Sequence, residues 1–153
     1  MTTTISQNYL NDIKEIELIT EKNVLLKKFY RVLSHIFKIA EKIDGKNIHL
    51  IWIKNQVSLA RRFDEEEIIF RMKDKFWEYR EPICNREDDF FKNNQFSKFI
   101  KEDENKKMMY SMINMFKSKY NTLTEDERNH IWDLTQIILA CCIKYKELIG
   151  DYE

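Results

Sequence analysis

Two glycines and one proline interrupt 153 residues. Tight turns with left-handed backbone depend on glycine, and chain breaks depend on glycine and proline. A chain this poor in both lacks the turn residues of β-hairpins and sandwiches. The apolar residues follow the period that suits uninterrupted helix. Leu26, Phe29, Leu33, Ile36, Ala40 and Ile43 recur at 3-4-3-4-3 spacing, widened by Val32, Phe37 and Ile39. Ile131, Leu134, Ile138, Cys141, Tyr145 and Leu148 recur the same way. Such spacing places side chains on one helix face. Helices are therefore predicted over about 21–44 and 125–149. Thr20 is the expected N-cap of the first, and Gly45 the expected left-handed stop. Thr124-Glu-Asp-Glu127 matches a capping box for the second, with Gly150 as its stop.

Between these two helices the pattern is less regular. Residues 1–19 carry Ile5, Leu10, Ile13, Ile16, Leu18 and Ile19, which suits a short helix or a docked arm. Residues 47–62 have the apolar density of a buried strand and the length of a helix, and length favours helix. Asp64 and Glu67 are spaced to start another helix, along which Ile69, Met72, Phe76 and Tyr79 share a face. Pro82 disfavours helical backbone at Glu81 and is expected to end it. A helix carrying Met108, Met109, Met112 and Met115 is expected from about 106 to 120. The expected architecture is all-α: one domain over 1–153, a compact bundle of about five to seven helices with the two long amphipathic ones central. Residues 1–8 and 101–107 are the expected mobile parts.

The same scarcity of glycine bears on chemistry. With Gly45 and Gly150 alone, neither a dinucleotide-binding nor a P-loop glycine motif exists. His35, His49 and His130 stand apart, and adjacent Cys141 and Cys142 lack the spacing that brings two thiolates to one zinc ion. One of these thiols is expected in the core and the other at an interface. Cys84 is the cysteine with an electropositive neighbour, Arg86, yet no nucleophile motif surrounds it. The acidic groups Asp64–Glu67, Glu87–Asp89 and Glu102–Glu104 read as solvated helix starts. No catalytic residue, cofactor or metal ligand is therefore assigned, and the chain is expected not to be an enzyme. The odd cysteine count favours free thiols in a reducing compartment over secretion. The longest apolar run, Ile137–Ile143, is too short to span a bilayer.

What remains is surface for contact. Phe90, Phe91, Met109, Met112 and Trp132 are the candidate partner-binding residues, since aromatic and methionine side chains make adaptable contacts. Nucleic-acid binding is the alternative. It would use Lys27, Lys28, Arg61, Arg62, Lys106 and Lys107, with Tyr30, Trp52, Trp77 and Tyr120 available for stacking. A net charge of zero gives that alternative no domain-wide basic field. A second alternative is a helical modulator of host signalling, offering a groove to a partner helix.

Ile (20), Lys (19) and Asn (12) make up a third of the chain, whereas Arg (7), Ala (3), Gly and Pro are scarce. The codons of the first set are rich in A and T, so the gene is expected to come from an A/T-rich genome. The segment Met112-Ile-Asn-Met-Phe-Lys117, with Tyr120, Leu123, Arg128, Ile131-Trp132 and Gln136-Ile137-Ile138, resembles a pattern in small helical proteins of nucleocytoplasmic large DNA viruses. Ile83, Arg86, Asp88-Asp89 and Phe90-Phe91 resemble an upstream element of the same family. Tyr120 stands where that pattern has Trp, and Leu134-Thr135 where it has Tyr-Leu. The resemblance implies a giant-virus protein of structural or protein-interaction type, in the virion or the virus factory of the host cytoplasm, binding a protein partner or itself. It carries over no catalytic residue.

Overall fold

The computed structural model describes residues 7–46, 48–87 and 119–151. Among them the regular structure is helical throughout. In chain order it comprises α1 (Gln7–Glu17), α2 (Lys22–Asp44), α3 (Ile48–Phe63), α4 (Glu67–Glu78), α5 (Arg80–Cys84) and α6 (Glu125–Leu148). Helix α6 is the axis of the bundle, with α1, α2, α4 and α5 packed around it. Helix α3 lies outside this ring, against α4 and α2.

The position of α6 follows from its sequence. Its buried residues include Ile131, Trp132, Leu134, Ile137, Ile138, Leu139, Cys141, Cys142 and Tyr145, which cover most of its circumference. A helix apolar on nearly all sides belongs in the interior. Both Cys141 and Cys142 therefore lie in the core, so the expectation that one would sit at an interface is corrected. The main cluster joins them to Ile16, Leu25, Phe29, Val32 and Ile69. A second cluster gathers Tyr79, Ile83, Tyr120, Ile131, Trp132 and Leu139, and Ile39 and Phe76 touch both. The two long helices thus pack on each other within one chain.

Local signals decide the boundaries. The Thr124 hydroxyl accepts from the Glu127 N–H (3.1 Å), and the Glu127 carboxylate accepts from the Thr124 N–H (2.8 Å), completing the capping box. These bonds hold the Glu127 carboxyl below its ordinary pKa. Gly150 has φ +77°, the left-handed region that favours glycine. Its N–H donates to Glu147 O and the Asp151 N–H to Lys146 O, which is a Schellman ending.

Four boundary expectations need correction. The N-cap of α2 is Glu21, without a side-chain cap bond, rather than Thr20. Gly45 is right-handed, with φ −68°. Glycine suits the position because a Cβ there would meet the Glu41 carbonyl oxygen at 2.8 Å. The Asp64 carboxylate accepts from the Glu66 N–H and shapes the turn before α4 rather than capping its third residue. The break after α4 falls at Tyr79, and Pro82 sits in the first turn of α5, where a missing N–H costs no helix bond. The expected mobile segment 101–107 and the methionine-bearing helix up to Ser118 lie outside the described residues.

Candidate functional site

Three places bring chemistry-bearing side chains together. The first is a shallow cleft of about 230 Å³ beside α5, lined by Tyr9, Ile13, Cys84, Gln136 and Leu139 among others. Arg86, left-handed at φ +50°, reaches across from the end of α5. Its guanidinium pairs with Asp133 and donates to Gln136 Oε1 at 2.9 Å. The Gln136 amide donates onward to the carbonyls of Ile83 (2.9 Å) and Cys84 (3.2 Å). Arg86 also lies 5.5 Å from the centre of the Tyr9 ring. Burial raises the Tyr9 phenol above its ordinary pKa, against the opposing pull of Arg86. Cys84 is exposed, but the guanidinium near it is committed to Asp133 and Gln136. The network locks α5 to α6.

The second place holds buried cations. Lys73 of α4 and Lys146 of α6 share Asp151 and Asp74, with the shortest contact 2.8 Å from Lys73 to Asp151. Asp151 raises the Lys73 ammonium above its ordinary pKa, outweighing burial. Lys28 of α2, equally buried, pairs with Asp12 and Glu15 of α1. Each ammonium faces carboxylates from another element, so these groups join helices. The thiols nearby are inert at neutral pH: burial pushes Cys141 up to about 12 and Cys142 well above its ordinary value.

The third place is the outer side of α3. At 3.6 residues per turn, Ile48, Ile51, Trp52, Asn55, Leu59, Arg62 and Phe63 fall within an arc of about 120°. The opposite side carries Leu50, Ile53 and Val57. Leu50 is 1% exposed and Val57 packs on the main core. On the outer arc Ile48 is 70%, Ile51 49%, Leu59 45% and Phe63 87% exposed. The helix is thus apolar on two opposite sides, and only one of them is covered by the described residues. Its orientation is fixed by Arg61, 4.4 Å over the Tyr30 ring, and by an ion pair between Lys54 and Glu41.

These positions bear on the candidates drawn from the sequence. Phe90, Phe91, Met109 and Met112 lie outside the described residues, as do Lys106 and Lys107. Trp132 is corrected: it is 2% exposed, donates to the Tyr120 hydroxyl at 3.2 Å, and fills the core instead of meeting a partner. Of the basic candidates, Lys27 and Arg62 are exposed, Lys28 is taken up by Asp12 and Glu15, and Arg61 stacks on Tyr30. The α3 face went unnoticed in the sequence. Its signal was the apolar residues at 48, 51, 59 and 63, on the side opposite Leu50.

Ile83, Arg86, Tyr120, Arg128, Trp132 and Gln136 are brought into one region where α5 meets α6. Arg128 donates to Leu123 O at 2.6 Å and lies 6.0 Å from the Tyr120 ring centre. Their contacts hold the fold together. No protein-family model, no curated protein and no solved structure matches the chain. Among the described residues no three His, Cys, Asp or Glu side chains are placed to share a metal ion, and no helix is long and apolar enough to cross a membrane.

Proposed function

We propose that the protein is a non-enzymatic interaction component that docks through the outer face of α3. One observation carries this reading: a helix already anchored by Leu50 and Val57 presents four large apolar side chains on its far side, Phe63 at 87% exposure. Contiguous apolar surface of this kind marks contact sites in soluble proteins. Support also comes from the polar network at the cleft, whose Arg86 guanidinium is bound to Asp133 and Gln136 and holds helices together. The setting in a large DNA virus, as a virion or virus-factory component, rests on the sequence resemblance drawn at positions 83–91 and 112–138 and on the A/T-rich codon bias.

Side-chain footprinting of the full chain in dilute solution tests the docking face. Ile51 and Phe63 are expected to label strongly, while Leu50 on the same helix stays protected. Protection of Phe63 in a chain shown to be monomeric would mean that its own residues cover the face, and the reading would fail.

A further inference from the structure

We infer that the bend between α1 and α2 is a hinge through which two copies of this chain exchange their α1 helices. This property is separate from the α3 face and uses other residues. The bend spans residues 18–21 and lacks the ordinary causes of one. No glycine or proline precedes Gly45. Glu21, the N-cap of α2, makes no side-chain cap bond. The helical ladder lapses after the Ile19 N–H, which donates to Ile16 O, and resumes where the Leu25 N–H donates to Glu21 O. Leu18, inside the bend, is 80% exposed. Local propensity therefore favours one continuous helix over 7–44, and the tertiary contacts of α1 hold the bend. Ile16 is buried in the main cluster, with Tyr9 and Ile13 packed against it. Lys28 of α2 pairs with Asp12 and Glu15, and Lys144 of α6 donates to Glu17 O at 2.9 Å.

Straightening the hinge decides who receives α1. At about 100° per residue, a continuous helix sets Leu18 in line between Leu25 and Phe29, on the core side of α2. It turns Tyr9, Ile13 and Ile16 to nearly the opposite side, so α1 cannot return to the α6 of its own chain. The place it vacates, beside Leu139, Ala140 and Ile143 of α6, is opened to water. The segment that fits this place residue by residue is α1 itself. A second copy's α1 fills it with the same contacts, Asp12 and Glu15 meeting Lys28 across the pair. Exchange of an identical element between protomers costs little for that reason. Both copies also gain the backbone bonds of residues 20–24, and Leu18 joins an apolar stripe. A released α1 without a partner leaves Ile16 and its neighbours wet, so the straight form exists as the exchanged dimer.

Refolding of the full chain from urea, at low and at high protein concentration, followed by sedimentation, tests this. The expected result is a dimer whose share rises with the concentration during refolding. When unlabelled and isotopically heavy chains are refolded together, carbodiimide coupling of Lys28 to Asp12 or Glu15 is expected to join light to heavy chains in the dimer fraction. Two substitutions move the hinge in opposite directions. Thr20→Ala, at an exposed position, should raise the association constant about tenfold, since each of two hinges gains helix propensity. Lys22→Pro suits the bent form: it stands first in α2, and Glu21 before it has the extended φ −116° and ψ 133° that a following proline requires. Inside a continuous helix the same proline is excluded, so the dimer should weaken by at least ~100-fold while the monomer keeps its helix content. Lys22→Ala, which removes the same ion pair to Glu66, should dimerise like the wild type. Thr20→Ala remaining monomeric at every concentration would overturn the exchange. So would a dimer whose Lys28 couplings stay within one chain, or one that Lys22→Pro leaves intact.

Discussion

Gly150 shows how much one residue can organise. Its left-handed φ of +77° ends α6 and turns the chain so that the Asp151 carboxylate reaches Lys73 and Lys146. Any side chain with a Cβ is strained at that φ, at about 1–2 kcal/mol. Gly150→Ala should therefore lower stability by at least that amount in urea unfolding, because Asp151 also shifts away from two buried ammonium groups. Gly150→Asn should lose less, since asparagine tolerates the left-handed region. If Gly150→Ala unfolds at the wild-type midpoint, neither the ending nor the link to Asp151 contributes to stability. Thr124 acts at the other end of α6. Thr124→Ala removes the acceptor for the Glu127 N–H and should cost about 1 kcal/mol in the same measurement.

Helix α3 separates what an element's sequence reveals from what it hides. Leu50 and Leu59 sit on one helix with the same side chain, yet Leu50 is buried and Leu59 is about half exposed. Leu50→Ala should cost about 2–4 kcal/mol through lost contacts and a cavity. Leu59→Ala should stay within about 0.5 kcal/mol in dilute solution. Equal losses would mean that the outer face is buried within the monomer. The sequence alone identified α3 as helix by its length, because an apolar stretch of that size exceeds a strand. It did not reveal which side faces the core, since apolar residues on both sides give no preferred face. In α6 the stripe from Ile131 to Tyr145 was readable, and so was the capping box. The burial of Trp132 and Cys142 was not, because it depends on four neighbours wrapping one helix. Pro82 misled for a related reason: the same residue that ends a helix also opens one, and only the chain direction after Tyr79 decides.

The molecule as a whole places its titrating groups so that alkali works against the fold. Burial raises the thiols of Cys141 and Cys142. Burial, reinforced by the bond to Glu66, raises the Tyr145 phenol, and the bond to Asp151 raises the Lys73 ammonium. Every one of these folded-state values lies above its unfolded counterpart, so the folded chain holds the protons more tightly. Their contributions are complete below the unfolded values and are lost as pH rises through the folded ones. Unfolded thiols are half deprotonated near pH 8.5, phenols and ammonium groups near pH 10. The urea midpoint should therefore hold nearly steady from about pH 6 to 7.5, begin to fall as pH approaches about 8.5 and fall more steeply above it, with each buried thiol contributing up to about 1.4 kcal/mol per pH unit. The double variant Cys141→Ala/Cys142→Ala separates the two kinds of group. It should begin less stable at neutral pH, because two core side chains are shortened. Between about pH 8.5 and 10 it should decline less steeply than the wild type, because the thiols that drive that part of the loss are gone. Parallel pH curves for the two proteins would show that Cys141 and Cys142 ionise as freely in the folded chain as in the unfolded one, and that α6 does not run through a dry interior.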